Sequence, residues 1–143
     1  MTPAGTVVTV ASDLRQQTSR GFAVAFTPDK AQVGRMRRIT AAHLRLWHVS
    51  EPTVENVVLA VSELVTNAIR YGRGDAGLKI LYADDDVRVE VSDGNPEPAL
   101  TNAQPDDTSG RGLFLVAVLA RDWGVSDDGE MTWCIFNAPA RRS

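Results

Sequence analysis

The chain reads as an α/β (α+β) two-layer sandwich, a mainly antiparallel sheet with helices on one face. Three observations predict it. Two segments with helical apolar spacing follow one another early in the chain. Short alternating segments flank them, and acidic or glycine turns join the later ones into hairpins. With 143 residues, 43% hydrophobic and 23% charged, the chain can enclose one core without disulfides or structural metals.

Residues 1–20 are polar and weakly patterned and read as an N-terminal arm; 21–139 form the domain and 140–143 a tail. Residues 21–27 read as a strand, with Phe22, Val24 and Phe26 alternating against Ala23 and Ala25. Thr27-Pro28-Asp29 opens a helix to about Trp47, with Val33, Met36, Leu44 and Trp47 on one face. A second helix follows Ser50-Glu51-Pro52 and runs to Tyr71, with Val54, Val57, Val58, Val61, Leu64, Val65 and Ala68 at helical spacing. Gly72-Arg73-Gly74 ends it. Residues 78–82 and 87–91 are strands joined by Asp84-Asp85-Asp86, a hairpin signal rather than a metal cluster. Residues 94–109 hold three prolines and no apolar period, so they read as a long loop of the kind used as a lid. Gly110-Arg111-Gly112 opens a third helix over 113–120, and two strands near 123–125 and 132–137 flank Asp128-Gly129.

Several function classes are disfavoured. A net charge of -3 argues against a general nucleic-acid or membrane-surface binder. No apolar run approaches the roughly 18 residues of a bilayer span, and the start lacks a basic n-region. Cys134 is the single cysteine, in an apolar strand-like run, and reads as a core residue. A cytoplasmic location is the expectation. Gly72-Arg73-Gly74-Asp75-Ala76-Gly77 matches the dinucleotide fingerprint, but it follows a helix and precedes a strand. The fingerprint works only in the opposite order, where helix amides meet the pyrophosphate.

The informative residues lie elsewhere. Glu63, Asn67 and Arg70 form one stripe late in the second helix, opposite the centre of the valine face, with Tyr71 at its margin. An amide oxygen is a hard ligand for Mg²⁺, and a carboxylate one turn away can polarise an attacking hydroxyl. Alone, the pair also fits an ordinary solvated helix face. Val91-Ser92-Asp93 ends a strand with an acid that can accept from the exocyclic amine of adenine, or serve as a simple turn residue. Ser109-Gly110-Arg111-Gly112 places two glycines and a cation at a helix start, where backbone amides and the helix dipole favour phosphate. It also fits a flexible junction.

In this order and spacing, the three elements resemble the GHKL (histidine kinase-like) ATPase superfamily. Glu63…Asn67-Ala68…Tyr71 is similar to its N box, Asp93-Gly94 to its adenine-binding G1 box, and Gly110-Arg111-Gly112-Leu113 to its G2 box, over roughly residues 22–136. The resemblance implies the Bergerat ATP-binding fold. It implies ATP and Mg²⁺ as cofactors, with Glu63 as general base, Asn67 as Mg²⁺ ligand, Asp93 as adenine contact, and Gly110, Arg111 and Gly112 as phosphate cradle. A single helix precedes the N box, which favours the stand-alone type similar to anti-sigma-factor kinases. These regulate transcription by binding a sigma factor and phosphorylating a serine or threonine on an antagonist protein. A homodimer is left open.

Two departures from the family pattern stand out. Asn95 and Glu97 occupy the glycine places that follow the G1 aspartate, which predicts altered or weaker ATP affinity. Gly129-Glu130-Met131-Thr132 carries an acid where relatives often have lysine, and leaves the threonine register open. The alternative function is therefore a non-catalytic module that holds nucleotide and sequesters its partner; a domain that has lost nucleotide altogether is the third. His43 reads as a packing residue. Arg35, Arg38 and Arg45 share one side of the first helix, as a solvated face or as a docking surface for an acidic partner.

Overall fold

The computed structural model describes residues 7–10, 19–72, 74–93 and 108–139. In chain order these hold β1 (Val7–Val10), β2 (Arg20–Phe26), α1 (Ala31–Leu46), α2 (Glu51–Tyr71), β3 (Ala76–Ala83), β4 (Asp86–Ser92), α3 (Thr108–Leu119), β5 (Asp122–Val125) and β6 (Met131–Asn137). The strands make one six-stranded sheet, order β1-β2-β3-β4-β6-β5, with every neighbouring pair antiparallel. This is the predicted α+β class.

Period-2 alternation decides which strand face is covered. Phe22, Ile80, Val89 and Cys134 lie opposite one another across four strands, and each is 0% exposed. The same face carries Val24, Leu78, Val91, Val87 and Phe136 into the core with the valine stripe of α2. On the other face Lys79 is exposed, and Arg88 pairs with Glu90 at 2.6 Å while its guanidinium sits 4.8 Å from the Trp133 ring centroid. Burial pushes the Cys134 thiol up to about 12, so it packs as an inert apolar side chain.

Asp29 starts α1, its Oδ1 accepting from the Ala31 N–H at 3.0 Å. Met36 and Leu44 bury one face of this helix, and Trp47 follows into the same core. His48 at φ 63° closes it, with no glycine to announce the turn. The N–H groups of His48 and Val49 bond back to Arg45 and Leu44. His43 stacks on Phe22 at 4.2 Å between ring centroids, and its Nδ1 lies 2.9 Å from the Ile39 carbonyl. It is a packing residue, as expected. Pro52 sits at the start of α2, where its missing N–H costs nothing.

Asp84 and Asp85 both have positive φ, 53° and 62°, and form a two-residue connection between β3 and β4. Left-handed residues at both central positions define the type I′ hairpin turn. Replacing Asp85 by Gly relieves a left-handed β-carbon. Chemical denaturation should show a gain of about 0.5–1 kcal/mol.

Two boundaries differ from the sequence reading. β1 lies inside the segment read as an arm, because its pairing partner is β2 and four residues carry too little pattern to be recognised alone. α3 begins at Thr108, so Thr108 and Ser109 belong to the helix rather than to the preceding loop. Among the described residues, no helix is long and apolar enough to cross a membrane.

Candidate functional site

The site is built around the second half of α2. This helix packs against α1 and α3 and touches β3, β4 and β6. Its buried arc is therefore wider than the valine stripe, which corrects the placement of the polar residues. Asn67 is 4% exposed instead of lying on a solvated face. Glu63 is half-buried and Arg70 is exposed, with its guanidinium 5.3 Å from the Tyr71 ring centroid.

Among the described residues neither the Oδ1 nor the Nδ2 of Asn67 has a hydrogen-bond partner. A buried polar group left unpaired costs about 1–3 kcal/mol, and native interiors hold few of them. Gln32 Oε1 and Thr40 Oγ1 on α1 are also buried without partners, but Asn67 has two separate polar atoms, a carbonyl oxygen and an NH₂, unsatisfied together. Its oxygen suits a hard cation and its NH₂ suits a phosphate oxygen. The amide thus fits a bound Mg²⁺–phosphate group.

Asp93 follows the last residue of β4. Its N–H donates to the Glu130 carbonyl at 3.1 Å, across the register that pairs Ser92 with Met131. Gly72, just past the end of α2, lies against the same residue. A β-carbon placed on Gly72 would stand 3.1 Å from the Asp93 carbonyl oxygen and 3.2 Å from its Cβ. The end of the Asn67 helix and the end of the Asp93 strand therefore meet. Gly94 lies outside the described residues.

The third expected element is placed by α3. Its start at Thr108 puts Gly110 and Arg111 in the first turn and Gly112 directly after. The first four N–H groups of a helix have no intrahelical acceptor and carry the positive dipole end. Leu113 and Val116 are buried in the common core, so the side chain of Leu113 packs there. Because α3 packs on α2, the fold brings the three predicted segments onto neighbouring elements.

Two roles escaped the sequence reading. Gly72 was legible only as a helix stop. Glu130 holds Asp93 through its backbone carbonyl, while its side chain is exposed. The register of Thr132 is now settled: it pairs with Val91, two residues before Asp93, and shares the core-facing side of β6 with Cys134 and Phe136. The turn between β5 and β6 is held by Asp128, whose Oδ1 accepts from Ser126 Oγ at 2.5 Å and from the Glu130 N–H at 3.0 Å. These bonds, the Ser126 hydroxyl first, hold the Asp128 carboxyl below its usual range.

Residues 26–136 match the family model described as the histidine kinase-like ATPase domain. The match spans most of the chain, so the chain belongs to the histidine kinase-like ATPase domain family. Domains of this family bind ATP, usually with Mg²⁺. No curated protein matches the chain at a significant level.

Proposed function

We propose that this protein binds ATP with Mg²⁺ and acts as an anti-sigma-factor-like serine/threonine kinase on an antagonist protein. The observation that carries the reading is the orphaned, buried carboxamide of Asn67. Asn67 would hold the Mg²⁺, which neutralises phosphate charge, with phosphate oxygens and water as the remaining ligands. Among the described residues no group of three or more His, Cys, Asp or Glu gathers elsewhere as a competing metal site.

Asp93 accepts from the exocyclic amine of adenine, and the first turn of α3 with Arg111 cradles the phosphates. Glu63, one turn before Asn67, takes the proton of the attacking serine or threonine hydroxyl. That oxygen bonds to the γ-phosphorus as the bond to the β–γ bridging oxygen breaks, and ADP leaves. Calorimetric titration of ATP with and without Mg²⁺ tests the binding reading. No heat in either condition would end it.

The second reading is a non-catalytic module that holds nucleotide and sequesters its partner. Asn95 and Glu97 at the glycine places, and an acid at Glu130, favour it. In both readings the partner docks on α1. Gly34, Arg37, Arg38 and Ala41 line an open groove of about 250 Å³ with Val58 of α2. Arg37 and Arg38 are exposed and without ion-pair partners among the described residues, whereas Arg45 is committed to Glu51 at 2.9 Å. The basic pair for an acidic partner segment is thus Arg37 with Arg38, rather than the set of Arg35, Arg38 and Arg45. Reversing both to Glu should weaken partner binding by roughly tenfold or more and leave ATP affinity unchanged. Undiminished partner affinity in a pull-down titration would remove this surface from consideration.

A further inference from the structure

We infer that Gly72 is a positioning residue that sets the spacing between the magnesium end and the purine end of the nucleotide site. The inference rests on the reading of Asp93 as the purine contact.

Glycine after a helix usually serves a left-handed cap. Gly72 does not. Its φ of -72° and ψ of 164° are open to any residue, and its N–H simply closes the last turn on the Ala68 carbonyl at 2.9 Å. What the position lacks is space. An added β-carbon would collide with the Ala68 carbonyl oxygen and press on the backbone oxygen and Cβ of Asp93 at 3.1 and 3.2 Å. The first contact forces a shift, and the two with Asp93 require that residue to give by a few tenths of an ångström.

Asp93 cannot yield freely. Its N–H is bonded to Glu130, and the preceding residue is paired with Met131 in the sheet. Gly72 and the Glu130 carbonyl therefore fix Asp93 between a helix end and a hairpin. Asn67 sits five residues before Gly72 on the same rigid helix. The approach of Gly72 to Asp93 consequently fixes how far the carboxamide stands from the purine-facing acid. A bound nucleotide must meet both groups at once, and small errors of placement weaken that double contact strongly.

The experiment compares Gly72→Ala with wild type in three titrations: ATP, ITP (in which an oxygen replaces the adenine amine) and Mg²⁺-tripolyphosphate. Thermal unfolding is followed without nucleotide. The expected result is a folded Gly72→Ala protein whose ATP affinity falls by roughly tenfold. Its preference for ATP over ITP shrinks, while tripolyphosphate affinity is retained. Three outcomes overturn the inference: an unchanged ATP-to-ITP ratio, equal losses for ATP and tripolyphosphate, or a Gly72→Ala protein that is unfolded, which would assign the glycine to folding alone. A wild type that binds ATP and ITP equally removes the Asp93 reading itself, and does so before any substitution is made.

Discussion

Replacing Asn67 by Leu should weaken Mg²⁺-dependent ATP binding by roughly a hundredfold and make the nucleotide-free protein more stable. Both effects have one cause. The carboxamide is 4% exposed and neither of its polar atoms has a partner among the described residues. Without ligand it carries an unreturned desolvation cost of about 1–3 kcal/mol, which an apolar side chain of similar shape would not. Thermal denaturation of the apo protein should shift upward by roughly 3–10 °C. Losing the ion–dipole contact of the amide oxygen to magnesium, or its charge-assisted hydrogen bond to phosphate, is worth on the order of hundredfold in affinity, about 2.7 kcal/mol. Opposite signs for stability and binding distinguish a ligand-facing amide from a structural one. A less stable Asn67→Leu protein with normal ATP affinity would show that the amide serves the fold.

The second large effect falls on turnover. Glu63→Gln keeps the side-chain shape and removes the basic oxygen pair. If Glu63 is the general base, transfer from radiolabelled ATP to an antagonist protein should drop by roughly 10²–10⁴-fold, with ATP affinity altered little. Near-equal transfer by the two proteins would take the base away from Glu63. Absence of transfer by wild type to every antagonist, with ATP still bound, would select the sequestering module. The position suits the role: Glu63 is half-buried on the same helix, one turn from the buried amide.

Much of this architecture is legible in the chain because its signals are local. Phe22, Val24 and Phe26 alternate, the valines of α2 recur at helical spacing, and Asp84-Asp85 marks a turn; each follows from backbone geometry over a few residues. The motif order Glu63–Asn67, Asp93, Gly110–Gly112 is equally a property of the string. β1 was not legible, since four residues gain strand character only from a neighbour. Nor was the start of α3, since Thr108 and Ser109 resemble the polar loop before them.

The sequence by itself determined the fold class, the hairpins, the helix faces and the identities of the polar groups at the site. Packing alone decided what those groups experience. On a bare helix Asn67 points away from the centre of the valine face; it is buried because α2 is enclosed by two helices and a sheet. Gly72 looks like a stop signal until β4 brings Asp93 against it. Periodicity along a chain records only which side of an element is apolar, whereas desolvation and close approach depend on elements distant in sequence.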